Sequence, residues 1–106
     1  MFICFEKNKE YYRRLFEITG QNSFGEFFTH YCEKTFFCIL SRHPMKKMPC
    51  DLITPQSLAH YNALLLIEIL KLWLSSPKNV PAEKIFEAYQ YIMRTPILDM
   101  IQYPEI

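Results

Sequence analysis

The sequence predicts an all-α fold, an antiparallel helical bundle, in a single domain spanning residues 1–106. Three observations predict it. Only two glycines occur in 106 residues, so turns built on left-handed backbone are scarce. Apolar residues recur three and four apart along almost the whole chain, the spacing of one face of a helix. Helix-start signals also stand where that periodicity begins, at Ser23 with Glu26 and at Thr54 with Pro55.

The first strong helix is expected over residues 8–18. It places Tyr11, Leu15 and Ile18 on one stripe, with Tyr12 and Phe16 beside it. Gly20 follows as a stop, because glycine takes the left-handed cap without steric cost. The second helix begins at Ser23, which has capping-box spacing to Glu26. Phe24, Phe27, Phe28, Tyr31, Cys32, Thr35, Cys38 and Ile39 then share an apolar arc, and Glu26, Thr29, His30, Glu33 and Lys34 lie outside it. This helix is expected to end near Ser41, since Pro44 disfavours helix at His43. Residues 42–53, with Pro44 and Pro49, read as a connection.

Thr54 as N-cap and Pro55 at the first helical position open a third helix. Between Tyr61 and Leu74 only Asn62, Glu68 and Lys71 are strongly polar. Glu68 and Lys71 are neighbours on the wheel and Asn62 points away from them, so no polar face of ordinary width remains. A helix apolar nearly all round needs cover on more than one side. A second subunit is the expected cover. Pro77 and Pro81 bound a short turn, and a last helix over residues 82–94 gathers Ile85, Phe86, Ala88, Tyr89, Ile92 and Met93 on one side. Thr95 and Pro96 break it, with one more turn expected over 97–101.

Composition narrows the function. Net charge is +1, from twelve basic and eleven acidic residues, with no basic cluster beyond Arg13-Arg14 and Lys46-Lys47. A surface that grips phosphates needs clustered positive charge, so these residues are not expected to bind nucleic acid themselves. Cys4, Cys32, Cys38 and Cys50 form no Cys-x-x-Cys pair, and no secretory leader is visible. Reduced thiols in a cytoplasmic protein are expected. The apolar run 63–74 is interrupted by Glu68 and Lys71 and falls short of the ~20 residues a bilayer requires, so no membrane span is expected.

No catalytic or metal constellation emerges. His30 and Cys32 are two residues apart on a helix and point about 200° away from each other. His43 lies in a loop and His60 near a helix start, and no His-x-x-x-His spacing supports tetrahedral ligation. Glu26 and Glu33 share a polar helix face and read as solvated. Neither a metal nor a cofactor is expected, nor enzyme activity. Nine Phe and seven Tyr exceed what a small core needs, and 16% aromatic content points to a cavity or a partner surface. Tyr12, Phe16, Phe28, Tyr31 and Phe36, with the hydroxyl of Thr35 among them, are the candidate walls of an effector cavity between the first two strong helices and the third. The same rings packed as plain core, with Thr35 bonded to the carbonyl one turn back, are the competing reading.

The run 5–17 (FEKNKEYYRRLFE), followed by Gly20 to Phe24 (GQNSF), resembles the C-terminal domains of TetR-family transcriptional regulators, in which an aromatic-rich helix leads through a short turn into a long one. Residues 61–74 (YNALLLIEILKLWL) resemble that family's dimerisation helix, which finishes in a tryptophan before a short turn. Residues 81–86 (PAEKIF) match the start of its last helix. Where many members carry glycine in the dimerisation helix, this chain has Leu64, Leu65 and Leu66.

The resemblance implies a regulatory domain that senses a small molecule, of unknown identity, and forms a homodimer through its last two long helices. Tyr61, Leu65, Ile69, Leu72 and Trp73 on one, and Ile85, Tyr89 and Ile92 on the other, are the implied interface in a twofold four-helix bundle. The first two helices and the connection would enclose the effector. DNA would be reached only through an N-terminal helix-turn-helix, which residues 1–106 do not include. A helical adaptor binding another protein through residues 61–74 is the alternative from a different class.

Overall fold

In a computed structural model that describes residues 2–18 and 23–102, the chain forms five α-helices. They are α1 (Phe2–Glu6), α2 (Lys9–Glu17), α3 (Phe24–Ser41), α4 (Pro55–Ser75) and α5 (Ala82–Arg94), followed by a 3-10 turn at Ile97–Met100. No strand occurs among the described residues. The short α1 was not anticipated from periodicity, since five residues cannot display one. It is held by burial of Phe2 and Phe5, which is how a helix too short to be stable alone persists.

Expected boundaries and observed ones agree closely from residue 23 onward. Ser23 Oγ accepts the Glu26 N–H at 3.2 Å, and Thr54 Oγ1 accepts the Ser57 N–H at 3.2 Å. Each cap satisfies a backbone donor that the helix itself cannot. Gly20 lies outside the described residues. The N-terminus of α5 is capped from a distance. Pro81 offers no side-chain acceptor, and the Glu6 carboxylate accepts the Ala82 N–H at 2.6 Å instead. Trp73 Nε1 donates to the Val80 carbonyl at 2.8 Å, tying the α4–α5 turn back onto α4.

The antiparallel pair α3–α4 is the spine of the molecule. His60 near the start of α4 meets Glu33 in the middle of α3, with Nδ1 2.5 Å from Oε1. Helix α2 packs on one flank of this pair, and α5 sits on the other, held chiefly by α1. On α4, Ala59, Ala63, Leu66, Ile67, Leu70, Trp73 and Leu74 are buried and fill one half of the wheel at 3.6 residues per turn. Tyr61, Leu65, Ile69 and Leu72 lie on the opposite half, together with Leu64 and the ion-paired Glu68 and Lys71. Tyr61 and Leu72 remain 53% and 68% exposed. At 21 residues α4 is long and apolar enough to cross a bilayer by length and composition, yet its inner half is the centre of the core.

Two expected stripes need correction. On α2 the buried residue is Phe16, while Tyr11 and Ile18 face solvent; α1 and α3 both approach from the Tyr12–Phe16 side, so the second stripe became the packed one. On α3 the inward line is Phe24, Phe28, Cys32 and Phe36, narrower than the expected arc. Phe27, Tyr31, Cys38 and Ile39 are exposed.

The result is a slab of 45 × 42 × 22 Å with a radius of gyration of 16.2 Å. A monomeric domain of this length has about 13 Å. Its accessible surface is 8637 Å², whereas a folded monomer of 12.8 kDa exposes about 6,300 Å².

Candidate effector-binding groove

A cavity of about 510 Å³ lies between α3 and α5, floored by Leu66 of α4 and closed at one end by Phe2 of α1. Tyr31, Cys32, Thr35 and Phe36 form the α3 wall, and Phe86, Tyr89, Gln90, Met93 and Arg94 form the α5 wall. It exists because α1 wedges between its neighbours. The Phe2 ring packs edge-on against Trp73 at 5.6 Å and tilts against Phe86 at 6.2 Å and Tyr89 at 6.1 Å. This props α5 away from α3. The mouth is open, for Tyr31 is 60% and Phe86 and Met93 are each 45% exposed.

Chemically the walls are apolar, with a few hydroxyl, amide and guanidinium groups. The Thr35 hydroxyl donates to the Tyr31 carbonyl at 3.0 Å, the local bond a helical threonine makes readily, which leaves its lone pairs for a guest. Burial, reinforced by the Glu33 charge, pushes the Cys32 thiol up to about 11. It therefore stays protonated and is a poor nucleophile. Burial also raises the Tyr89 phenol, with the neighbouring Cys32 adding to the effect. Among the described residues neither histidine nor carboxylate lines the groove.

Of the six residues expected to wall a cavity, Tyr31, Thr35 and Phe36 do line this one. Tyr12, Phe16 and Phe28 do not. The space between α2, α3 and α4, where the cavity was expected, is filled by rings. Phe5 meets Tyr12 at 4.4 Å and Phe28 at 5.5 Å, and Phe16 meets Phe24 at 5.0 Å and Phe28 at 6.0 Å.

A family model of the TetR C-terminal type, described as "Transcriptional regulator C-terminal region", matches residues 1–95. The chain belongs to that family. Comparison with curated proteins and with solved structures finds no match. The domain is therefore a regulatory region of a transcriptional regulator, and its all-helical fold agrees with that membership.

Within this regulator domain, the residues expected at a subunit interface divide in two. Tyr61 and Leu72 of α4 are exposed, as is Ile92 of α5 at 38%, while Leu65, Ile69 and Ile85 are half-buried and pack in part against the core. Trp73 and Tyr89 do not join them. They are 2% and 7% exposed within the chain, so they offer a second copy almost no surface. Packing against Phe2 claims both rings.

Sequence reasoning missed Phe2, Leu66, Gln90 and Arg94 as groove residues and assigned Phe86 and Met93 only to an apolar helix side. A signal was present in the spacing Phe86, Gln90, Arg94, which is one line along α5. Among the described residues no three His, Cys, Asp or Glu side chains converge as metal ligands. His30 stands 3.8 Å from both Glu26 and Glu33, and Glu33 also bridges to His60. That makes Glu33 a cross-brace between α3 and α4, where a merely solvated carboxylate was expected.

Proposed function

We propose that this domain senses a small molecule in the α3–α5 groove and forms a homodimer through the outer faces of α4 and α5. The observation that carries the sensing reading is the make-up of the groove: one wall is α5, one end is α1, and no side chain of the described residues fills it. Its volume lies in the range of small-molecule sites, and mostly apolar walls with a few polar groups are what such sites use. On this reading α1 would lie toward the rest of the regulator and α4–α5 toward the second copy. A guest touching Phe2 and Phe86 together would favour one spacing of α1 and α5 over another. That differential affinity is what shifts a conformational equilibrium. With Cys32 held protonated and neither histidine nor carboxylate among the described residues of its walls, the groove suits binding and not turnover.

Self-pairing is supported by the surface excess of about 2,300 Å² over a monomer's expectation and by Tyr61, Leu65 and Leu72 on the outer half of α4, beside the Glu68–Lys71 ion pair. Obligate homodimers bury about 2,000–5,000 Å² in total, so the excess per chain is ample. Sedimentation velocity at micromolar concentration tests the pairing: a dimer is expected for the wild type and a monomer for Leu65→Glu, which sets a charge in the desolvated seam. A monomeric wild type would instead favour an adaptor that offers the same face to another protein. Occlusion of the groove tests sensing. Thr35→Trp should leave the dimer intact and abolish stabilisation by groove ligands.

A further inference from the structure

We infer that the molecule bound in the groove is an amphipathic anion, with an apolar body of extended-chain length and one carboxylate or similar group at its end; this rests on the sensing reading above. Among the described residues that line the groove, Arg94 carries the only charge. It makes no ion pair with any described carboxylate, although Glu87 on the same helix is paired with Lys84 at 3.4 Å. Gln90, one turn before it, is half-buried and has no side-chain hydrogen bond among the described residues. Four apart on a helix, the two side chains lie one above the other and present amide and guanidinium donors at the same end of the groove. Phe86 continues the line at the other end, where Phe2 and Leu66 make the surroundings apolar.

The groove is thus polarised along α5. From Phe86 to Arg94 the helix rises about 12 Å, which sets the separation between an apolar terminus and an anionic head. A cationic head would meet Arg94 with no carboxylate to offset it. A neutral head would leave the guanidinium without a charged partner, and planar donors of this kind hold carboxylates best in paired hydrogen bonds. A helix C-terminus alone favours a basic residue, but that preference places no constraint on Gln90 or on the absence of acids from both walls.

The test titrates the whole chain calorimetrically with decanoate, decan-1-ol and decylammonium, which share a tail and differ in head charge. Decanoate is expected to bind about tenfold or more tighter than decan-1-ol, the usual advantage of a charged hydrogen bond, and decylammonium weakest. Arg94→Met, at an exposed position, should bring decanoate to the level of decan-1-ol and leave decan-1-ol unchanged. Equal binding of decanoate and decan-1-ol, or decanoate binding that survives Arg94→Met, overturns the anion inference and leaves sensing standing. Failure of all three to bind overturns the sensing reading together with it.

Discussion

The two flanks of the α3–α4 pair are built from the same kinds of residue and finish differently. On the α2 flank, Phe5, Tyr12, Phe16, Phe24 and Phe28 interlock ring against ring, and only a small cleft of about 130 Å³ is left beside Phe16 and Leu74. On the α5 flank, Phe2, Tyr31, Phe36, Phe86 and Tyr89 surround a groove of about 510 Å³. Aromatic content does not separate them. The separation comes from how the flanking helix is held. Helix α2 lies directly on the spine, while α5 is held off it by α1, whose short length still carries two buried phenylalanines. An aromatic surplus is therefore evidence for a cavity only when some element keeps the rings from closing.

Cavity-forming substitutions probe the contrast most strongly. Trp73→Ala removes the ring shared by both flanks, with its bond to Val80 and the Lys9 ammonium 4.7 Å above it. A loss of about 3–5 kcal/mol is expected for a buried aromatic, read by denaturant unfolding; a loss below about 1 kcal/mol, within the range of a surface change, would mean that the spine is not where stability resides.

Phe16→Ala and Phe86→Ala form the matched pair. The first should also cost about 3–5 kcal/mol without altering decanoate affinity, because its ring is buried on the closed flank. The second should cost less than half as much, since nearly half of that ring is already in water, and should weaken decanoate binding. Equal costs for the two would erase the distinction between flanks.

Glu6→Ala probes the prop itself. Losing the distant cap on Ala82 is expected to cost about 0.5–2 kcal/mol, the usual range for a lost cap, and hydrogen exchange should rise first in the opening turn of α5. Unchanged protection there would show that α1 holds α5 by ring packing alone.

The smallest effect concerns pH. Cys32 rises from the ordinary 9.0 to about 11, so the folded state keeps a proton that the unfolded chain gives up. Its contribution to stability is complete below 9.0 and is lost as pH climbs through about 11. Tyr89, raised in the same direction, adds to the loss. Cys32→Ala should flatten the decline of stability across that alkaline window. At the acid end the hydrogen bonds from Arg13 hold the Glu10 carboxyl down to about 2, so its contribution is present above the ordinary 4.5 and fades as pH falls through about 2. Glu10→Gln should remove that acid-side slope.

Local signals determined the helices and their limits. Ser23, Thr54 with Pro55, and Pro96 mark boundaries through backbone donors and fixed φ angles, which depend on near neighbours only. Periodicity likewise identified α4 as lacking a polar face of ordinary width, since a helical wheel needs nothing beyond the helix. Tertiary structure alone decided which apolar residues became core, wall or outer face. Tyr12 with Phe16, and not Tyr11 with Ile18, met α1 and α3. Trp73 and Tyr89 turned inward because Phe2 reached them from more than seventy residues away in sequence, and Glu6 found the uncapped N-terminus of α5 across a similar span. The groove has the same origin. It is a space between helices, set by how far one short helix holds two others apart, and no spacing within a single helix encodes that distance.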